Sequence, residues 1–214
     1  SKVVPAPVTF TDIAGIVKGA AEGAGLGNKF LSHIRECAAI VQVVRAFEND
    51  DIIHVDEKID PARDIETIKL ELILADLQTI EKVLPRYEKE AKTSRDAQAI
   101  CDALTDIQSE LENEELISEN IADLPKEVRD LQLLTAKPFI YVFNVDEAGL
   151  SDSALHDQLT ALAGPLPSLI LCAEIESQLK DMSDEDAAEF LAEYGQVNSG
   201  LAALARVGFD ALGL

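Results

Sequence analysis

The first residues whose types and spacing could do chemistry lie near the start of the chain. Asp12-Ile13-Ala14-Gly15 follows a short apolar run at residues 8–10. A carboxylate at the end of a strand can organise a magnesium ion, usually through a water, and the glycine lets its backbone N–H approach a phosphate. Because D-x-x-G arises by chance in many chains, it is a weak signal when taken alone.

A glycine-rich run follows this tetrapeptide at residues 16–30. Four glycines fall within residues 19–27, and a helical pattern begins at Leu26. Glycine adopts backbone angles that are closed to other residues, and such a segment resists ordering without a ligand. This behaviour suits a switch loop that a γ-phosphate orders and hydrolysis releases. An ordinary flexible surface loop is the alternative on glycine content alone.

A second cluster, Asn144-Val145-Asp146-Glu147, follows the apolar run at residues 139–143. GTPases place the base-reading sequence N-K-x-D here, and its aspartate takes two hydrogen bonds from guanine. Glu147 and Val145 replace that aspartate and lysine. A longer carboxylate cannot keep the same two-bond geometry, so guanine preference should be lost or reduced. Cys172-Ala173-Glu174 follows another apolar run, where such proteins place a small-residue loop beneath the base.

The elements that would position these clusters are predicted by hydrophobic patterning. Continuous apolar runs indicate strands covered on both faces, as in a parallel sheet, at residues 8–10, 38–44, 139–143 and 169–171. Helical patterns lie between them, at residues 26–37, 153–163, 184–194 and 200–212. The alternation predicts an α/β domain, in which the loops at the carboxyl ends of the strands converge on one ligand site.

The middle of the chain predicts two long helices. Asp60-Pro61 is typical of an N-cap followed by proline in the first turn. The stripe after it comprises Leu70, Leu74, Leu77, Ile80 or Glu81, Leu84 and Tyr87. After Thr93-Ser94, a second stripe comprises Ala97, Ile100 or Cys101, Leu104, Ile107 and Leu111. These stripes indicate an antiparallel helical hairpin that projects from the sheet, or else a pair of helices packed flat on it.

Composition excludes several functions. The formal net charge of -22 would repel a polyphosphate backbone, so we expect no direct nucleic-acid binding from this chain. The three cysteines are far apart and indicate a reducing, cytoplasmic location rather than a disulfide framework. The scattered His33, His54 and His156 do not indicate a metal site built from His and Cys. No signal peptide or membrane-spanning apolar run of about 20 residues is present.

Taken in order, these motifs resemble the YchF subfamily of Obg-related P-loop nucleotide triphosphatases. Residues 12–30 resemble the Obg signature. Further stretches resemble the YchF subfamily in particular: residues 45–55, Asp60-Pro61, Asp64-Ile65-Glu66, residues 72–77, Thr135-Ala136-Lys137-Pro138, residues 144–147 and residues 208–214. The resemblance covers essentially the whole chain, and residues 93–120 are its least characteristic part.

The resemblance implies an α/β fold: an incomplete P-loop NTPase (Ras-like/Obg) parallel sheet with an inserted antiparallel helical coiled-coil arm. The implied domains are NTPase core at residues 1–60, the helical insert at residues 61–130 and NTPase core again at residues 131–214. The implied function is a cytoplasmic nucleotide switch that hydrolyses ATP, and possibly GTP, with Mg²⁺, and acts on ribosomes or translation. True GTP specificity is disfavoured by Glu147.

The resemblance also implies roles for single residues. Asp12 would organise Mg²⁺ through a water, and Gly15 would sense the γ-phosphate. Ile16 replaces the glutamine that orients water in Ras-like enzymes, which implies slow hydrolysis with catalytic help from elsewhere. The residues implied at the base are Asn144, Glu147, Val145 packing on it, Phe47 covering adenine, and Cys172, Ala173 and Glu174 from the last loop. For Phe47, an ordinary place in the core is the alternative.

One motif of the family is missing from these residues. No G-x-x-x-x-G-K-[ST] occurs in the 214 residues, so the strongest phosphate contacts are absent. We therefore expect the chain to be a fragment of a longer protein, also without the family's C-terminal TGS domain, and activity to belong to that parent. The alternative is a non-catalytic interaction module whose working surface is the helical arm.

Overall fold

The computed structural model describes residues 8–13, 26–48, 59–117 and 121–213, with the backbone alone for residues 26–30. Gly15, Ile16, the glycine-rich run up to residue 25 and the characteristic residues 49–55 lie outside these ranges. The predictions for those residues stay predictions.

Three strands form one parallel sheet. They are β1 Ile40–Arg45, β2 Phe139–Asn144 and β3 Ser168–Leu171, in the order β1-β2-β3. The last residues of the strands lie side by side, since Arg45 pairs with Asn144 and Asn144 pairs with Leu171. The predicted parallel sheet is confirmed, and the ends of its strands form one edge from which the following loops depart.

The described helices are α1 Leu26–Glu36, α2 Pro61–Glu90, α3 Arg95–Glu112, α4 Lys126–Arg129, α5 Ser153–Ala163, α6 Ala173–Leu179, α7 Asp184–Glu193 and α8 Gly200–Ala211, with a 3₁₀ turn at Ala148–Ser151. The four helices predicted to alternate with the strands along the chain are confirmed, each to within about one residue, as fraying allows. The short α4, the 3₁₀ turn and α6 were not predicted.

Two compact units divide the chain. The sheet unit contains Ser1–Thr11, Ala39–Ile65 and Pro138–Leu214. Its core places α8 against one face of the sheet, through Leu204, Ile140, Val142 and Leu171. The other face of β2 carries the rings of Phe139, Tyr141 and Phe143, with successive centroids 5.1 and 6.2 Å apart. Covered on both faces, β2 is buried along nearly its whole length, as its continuous apolarity predicts.

The strand predicted at residues 8–10 is wrong. Residues 8–13 have no regular secondary structure, and the Phe10 side chain is 51% exposed. A strand exists only where its backbone groups pair with a neighbour. None of the three strands that the structure describes pairs with this run, so its apolar composition does not produce a strand.

The second unit contains Asp12–Ala38 and Glu66–Lys137 and is mostly helical. Ser94 caps α3 by accepting a hydrogen bond from the Ala97 N–H at 3.3 Å. The apolar stripe predicted for α3 is confirmed, because all five positions are buried: Ala97, Ile100, Leu104, Ile107 and Leu111. Ile100, Leu104, Ile107 and Leu111 share one core with Ile73 and Ile80 of α2 and with Val128 of α4. The helices therefore form a hairpin with a core of its own; its projection from the sheet stays a prediction.

The stripe predicted for α2 is partly wrong. Ile80 is buried in the core and Leu77, Leu84 and Tyr87 pack against it, as predicted. Leu74, however, is 41% exposed, and Ile73 beside it enters the core instead. Leu72 and Asp76 are also buried, so α2 is covered on more than one side around residues 71–76. Spacing alone cannot choose the buried face of a helix that carries apolar residues on several sides. At the start of the helix, Asp60 accepts a hydrogen bond from the Arg63 N–H at 3.1 Å, and the predicted N-cap is confirmed.

Candidate nucleotide-binding site

The loops after the three strands begin at one edge of the sheet. The Ala46 N–H donates to the Asn144 carbonyl at 2.8 Å, and the Val145 N–H donates to the Leu171 carbonyl at 2.9 Å. These bonds continue the strand ladder by one step beyond β1 and β2. Two of the loops predicted to converge, those after β2 and β3, therefore begin side by side at the place where parallel sheets bind ligands. That the Asp12 loop joins them stays a prediction.

Asn144 joins two of these loops through its side chain. Its Oδ1 accepts a hydrogen bond from the Ala173 N–H at 2.9 Å. Ala173 is the first residue of α6, and Cys172 before it is buried at the N-cap position. The sequence had placed residues 172–174 in a loop, whereas Ala173 and Glu174 form the exposed first turn of a helix. The amide of Asn144 thus holds that turn at a set position beside the end of β2.

Glu147 is exposed and lies just before the 3₁₀ turn. Its Oε2 accepts a hydrogen bond from the Tyr194 hydroxyl at 3.3 Å. Tyr194 also contacts Phe190 edge-on, with the ring centroids 5.3 Å apart. Partial burial raises the pKa of the Tyr194 hydroxyl, and the nearby Glu147 carboxylate raises it further, so the hydroxyl stays a donor. The Tyr194 hydroxyl therefore engages one oxygen of the exposed Glu147 carboxylate.

Val145 and Asp146 shape the backbone of this loop. The Val145 side chain is 1% exposed and packs against Gly149, where an added Cβ would come within 2.8 Å of the Val145 Cβ. Asp146 Oδ1 accepts a hydrogen bond from the Gly149 N–H at 2.8 Å. A glycine at position 149 is thus required by close packing. The expected contact between Val145 and a base stays a prediction, and it would require this buried side chain to be uncovered.

Phe47 lies after β1, separate from the contacts of Asn144 and Glu147. Arg45 stacks on its ring, with the guanidinium carbon 4.8 Å from the ring centroid, and the Arg45 Nε donates to the Phe47 carbonyl at 3.1 Å. The ring lines an open groove of about 400 Å³ with Pro61 and α5. Phe47 is half-buried rather than part of the closed core, so it is accessible to a flat ligand.

Asp12 is the one residue of the predicted phosphate end that the structure describes. Its side chain is exposed, as a carboxylate that holds a hydrated metal ion must be. Within the described ranges, no group of three or more His, Cys, Asp or Glu side chains could hold a metal ion. The role of Asp12 at Mg²⁺ stays a prediction.

Comparison with known proteins finds relatives over nearly the whole chain. A family described as 50S ribosome-binding GTPase matches residues 2–75. The ribosome-binding ATPase YchF of Bacillus subtilis is 45% identical, over 100% of this chain and 60% of its own length. The Obg-like ATPase 1 of Caenorhabditis elegans is 36% identical, over 99% of this chain and 56% of its own length. The structure of the Schizosaccharomyces pombe YchF GTPase superposes with a TM-score of 0.74 at 32% identity, covering 94% of this chain and 57% of that one.

The chain is a homologue of the YchF ribosome-binding ATPases. It spans about 60% of the length of the curated relatives it matches. The solved relative is titled a GTPase, whereas the Bacillus relative is named an ATPase. No helix in the described part of the chain is long and apolar enough to cross a membrane.

A polar network in the helical unit of this YchF homologue was not predicted from its sequence. Asp76 is fully buried in α2 and accepts three hydrogen bonds: from the Leu134 N–H at 2.9 Å, the Thr135 N–H at 2.8 Å and the Thr135 hydroxyl at 2.8 Å. Burial raises the pKa of Asp76, while these donors and nearby Arg35 lower it. A carboxylate inside the apolar run at residues 70–77 was the signal that could have revealed it.

The Thr135-Ala136-Lys137-Pro138 motif of the YchF family acquires a structural role from this network. Thr135 binds Asp76, as above, and Lys137 binds the end of α1. The Lys137 Nζ donates to the Arg35 carbonyl at 3.0 Å and to the Cys37 carbonyl at 2.6 Å. Burial lowers the pKa of Lys137. The motif therefore ties α1 and α2 to the segment that leads back to the sheet.

Proposed function

We propose that the chain is the central part of an ATP-hydrolysing molecular switch that acts on ribosomes. The observation that carries this proposal is the bond from the Ala173 N–H to Asn144 Oδ1 at the aligned ends of β2 and β3. It joins two loops that would contact a base. Pre-ordered loops reduce the entropy that binding must overcome.

The proposed base is adenine. Adenine offers one exocyclic amino group as a donor, whereas guanine offers a neighbouring ring N–H and amino group to a two-oxygen acceptor. The Tyr194 hydroxyl orients the Glu147 carboxylate through Oε2, so Oε1 would be the oxygen that accepts from the adenine amino group. Because guanine would leave one of its donors without a partner in this arrangement, ATP should bind better than GTP.

The proposed phosphate end consists of Asp12, Gly15 and Mg²⁺. Mg²⁺ keeps several waters and binds through few carboxylates plus substrate phosphates, which suits the single exposed Asp12. The Gly15 N–H would contact the γ-phosphate. Ile16 cannot orient the attacking water by hydrogen bonding, so hydrolysis is slow until another group assists.

The proposed partner is the ribosome, which the names of the YchF relatives include. The formal net charge of this chain is -22. Such a field repels an RNA backbone and favours basic protein surfaces. We therefore assign any ribosomal contact made by this chain to ribosomal protein rather than to ribosomal RNA.

The proposal is tested by titrating the full-length parent with fluorescent ATP and Mg²⁺, followed by competition with unlabelled ATP and GTP. Saturable binding that ATP displaces better than GTP is expected. The 214-residue chain should bind far more weakly, because it has no phosphate loop. A parent that shows no displaceable binding would refute the proposal, and equal displacement by GTP would refute the choice of base.

A second function is a non-catalytic interaction module. The self-contained core of α2, α3 and α4 favours it, because such a hairpin needs no nucleotide to present a surface. Asp12→Ala in the parent separates the two functions. A switch loses the nucleotide dependence of ribosome binding in this variant, measured by co-sedimentation with ATP and with ADP. An interaction module keeps its ribosome binding unchanged.

A further inference from the structure

Arg35 connects three parts of the helical unit. It lies in the last turn of α1 and is three-quarters buried, since its side chain is 25% exposed. Its Nη2 donates to the Thr79 hydroxyl of α2 at 2.9 Å. Its Nη1 lies 3.3 Å from the carbonyls of both Leu131 and Gln132. A planar guanidinium with several fixed donors suits such a junction, and a lysine ammonium does not.

The segment that Arg35 contacts is itself held on α2. Asp76 lies 3.9 Å from Arg35 Nη2 and takes three hydrogen bonds from Leu134 and Thr135. Because Asp76 is fully buried, loss of these donors would leave a charge without compensation in a site that excludes water. Residues 131–135 and the middle of α2 are therefore expected to move together.

The carboxyl end of α1 is fixed from the same segment. The last carbonyls of a helix have no partner within the helix and carry partial negative charge. Lys137 supplies a cation there, through its bonds to the Arg35 and Cys37 carbonyls. Arg35 and Lys137 thus join α1 to the hairpin by side-chain and backbone contacts in both directions.

We propose that Arg35 is a positioning residue that couples α1 to the helical hairpin, so that the hairpin responds to the nucleotide. In the sequence, α1 begins at Leu26 directly after the D-x-x-G and glycine-rich residues. Asp12–Ala38 and the hairpin belong to the same compact unit, separate from the sheet unit that carries Asn144 and Glu147. A displacement of α1 must either break the Arg35 and Lys137 contacts or carry α2 with it.

This inference rests on the proposed nucleotide switch, and it adds the path by which the switch reaches the hairpin. The path has a physical basis, since it is a continuous set of hydrogen bonds from the end of α1 to the middle of α2. An Arg35 that only stabilised the fold would make the same contacts. The two roles differ only in whether nucleotide changes the hairpin through Arg35, which must therefore be measured directly.

The test is amide hydrogen exchange of the full-length parent with Mg²⁺ and either a non-hydrolysable ATP analogue or ADP. In the unaltered protein, exchange at residues 72–80 is expected to differ between the two nucleotides. In Arg35→Met, the difference in exchange should shrink by about tenfold, which is the size of a typical coupling between sites. Nucleotide affinity should stay within about twofold of that of the unaltered protein. Arg35→Lys keeps the charge without the forked contacts, so the nucleotide-dependent difference in exchange should be reduced to an intermediate value. This variant keeps the test decisive if Arg35→Met fails to fold.

Arg86→Met is the matched control. Arg86 lies in α2, the helix whose exchange is followed, and its guanidinium pairs with exposed Glu90 at 2.8 Å. This variant also removes one arginine charge from the helical unit and should keep the full nucleotide response. A response that persists in Arg35→Met, or an equal loss in Arg86→Met, would overturn the inference.

Two further outcomes separate this inference from the proposed function. If nucleotide binds but exchange at residues 72–80 does not respond, the coupling is refuted and the proposed function stands. If no nucleotide binds, the proposed function is refuted, and exchange without ligand decides the coupling. The amides of α1 and residues 72–80 should then open at matching rates in the unaltered protein and at different rates in Arg35→Met. The coupling would be overturned if α1 and residues 72–80 opened at matching rates in Arg35→Met as well.

Discussion

The side-chain oxygen of Asn144 accepts a hydrogen bond from the backbone N–H of Ala173 across 29 residues of sequence, at 2.9 Å. This bond sets the distance between the loop after β2 and the first turn of α6. It lies within the sheet unit. Under the proposed function, it would set the position of two loops at the base.

Asn144→Ala should weaken nucleotide binding by the parent by about tenfold, because the Ala173 N–H loses its partner and the two loops lose their common position. The measurement is a fluorescent-nucleotide titration. Asn113→Ala is the control: Asn113 is an exposed C-cap residue of α3 whose amide bonds only locally, to the Ser109 carbonyl. Equal affinities of the two variants would contradict a role for Asn144 at the base.

Glu147→Asp should move base preference toward guanine. The shorter carboxylate withdraws from the Tyr194 hydroxyl and regains the geometry that presents two oxygens to guanine. The ratio of ATP affinity to GTP affinity is expected to fall by about tenfold, as for other hydrogen-bond mismatches at a base. Competition titrations measure the ratio. Glu185→Asp, an equivalent change at an exposed position of α7, should leave it unchanged.

Asp76→Ala should destabilise the chain by about 3 kcal/mol, because two backbone N–H groups and the Thr135 hydroxyl lose their acceptor in a buried site. The free energy of unfolding is measured by urea denaturation. Asp102→Ala on the exposed face of α3, where Asp102 accepts from the Gln98 amide, should cost less than about 0.5 kcal/mol. Similar losses in both variants would argue against the network.

Lys137 makes stability depend on pH in a defined direction. Burial lowers its pKa below the usual value of 10.5, so the folded chain binds this proton less tightly than the unfolded chain does. The protonated Lys137 therefore lowers the free energy of unfolding at neutral pH. This loss is relieved as the pH rises through the lowered pKa toward 10.5. Compared with Lys137→Met, the unaltered chain should therefore gain stability over this window. Urea unfolding at several pH values gives the two slopes, and parallel slopes would contradict the assignment.

Local signals in the sequence were sufficient for much of the fold. The α3 stripe from Ala97 to Leu111 and the cap at Asp60 were predicted correctly, because a helical face and a cap depend on residues within a few positions of one another. The central strand β2 was predicted from its unbroken apolar run for the same reason. Because the strands were predicted, the positions of the loops that follow β2 and β3 were predicted as well.

Other features depended on partners that the local pattern does not contain. Residues 8–10 have a strand-like composition but no strand, since pairing requires a neighbour. Leu74 looked like a core position and is exposed, since several sides of α2 are apolar. The start of α6 at Ala173 was predicted to be a loop. The helix is only seven residues long, and no side-chain hydrogen bond caps its first turn.

The sequence by itself determined the helix and strand pattern, the family resemblance and the residue types at the proposed base site, all of which are properties of short segments. Only the tertiary structure decided that Asp76 binds Leu134 and Thr135, separated from it by 58 and 59 residues, and that Arg35 reaches residues 131 and 132. Periodicity carries no information at such separations. A buried charge selects its donors only when packing has excluded water and brought them within hydrogen-bond distance.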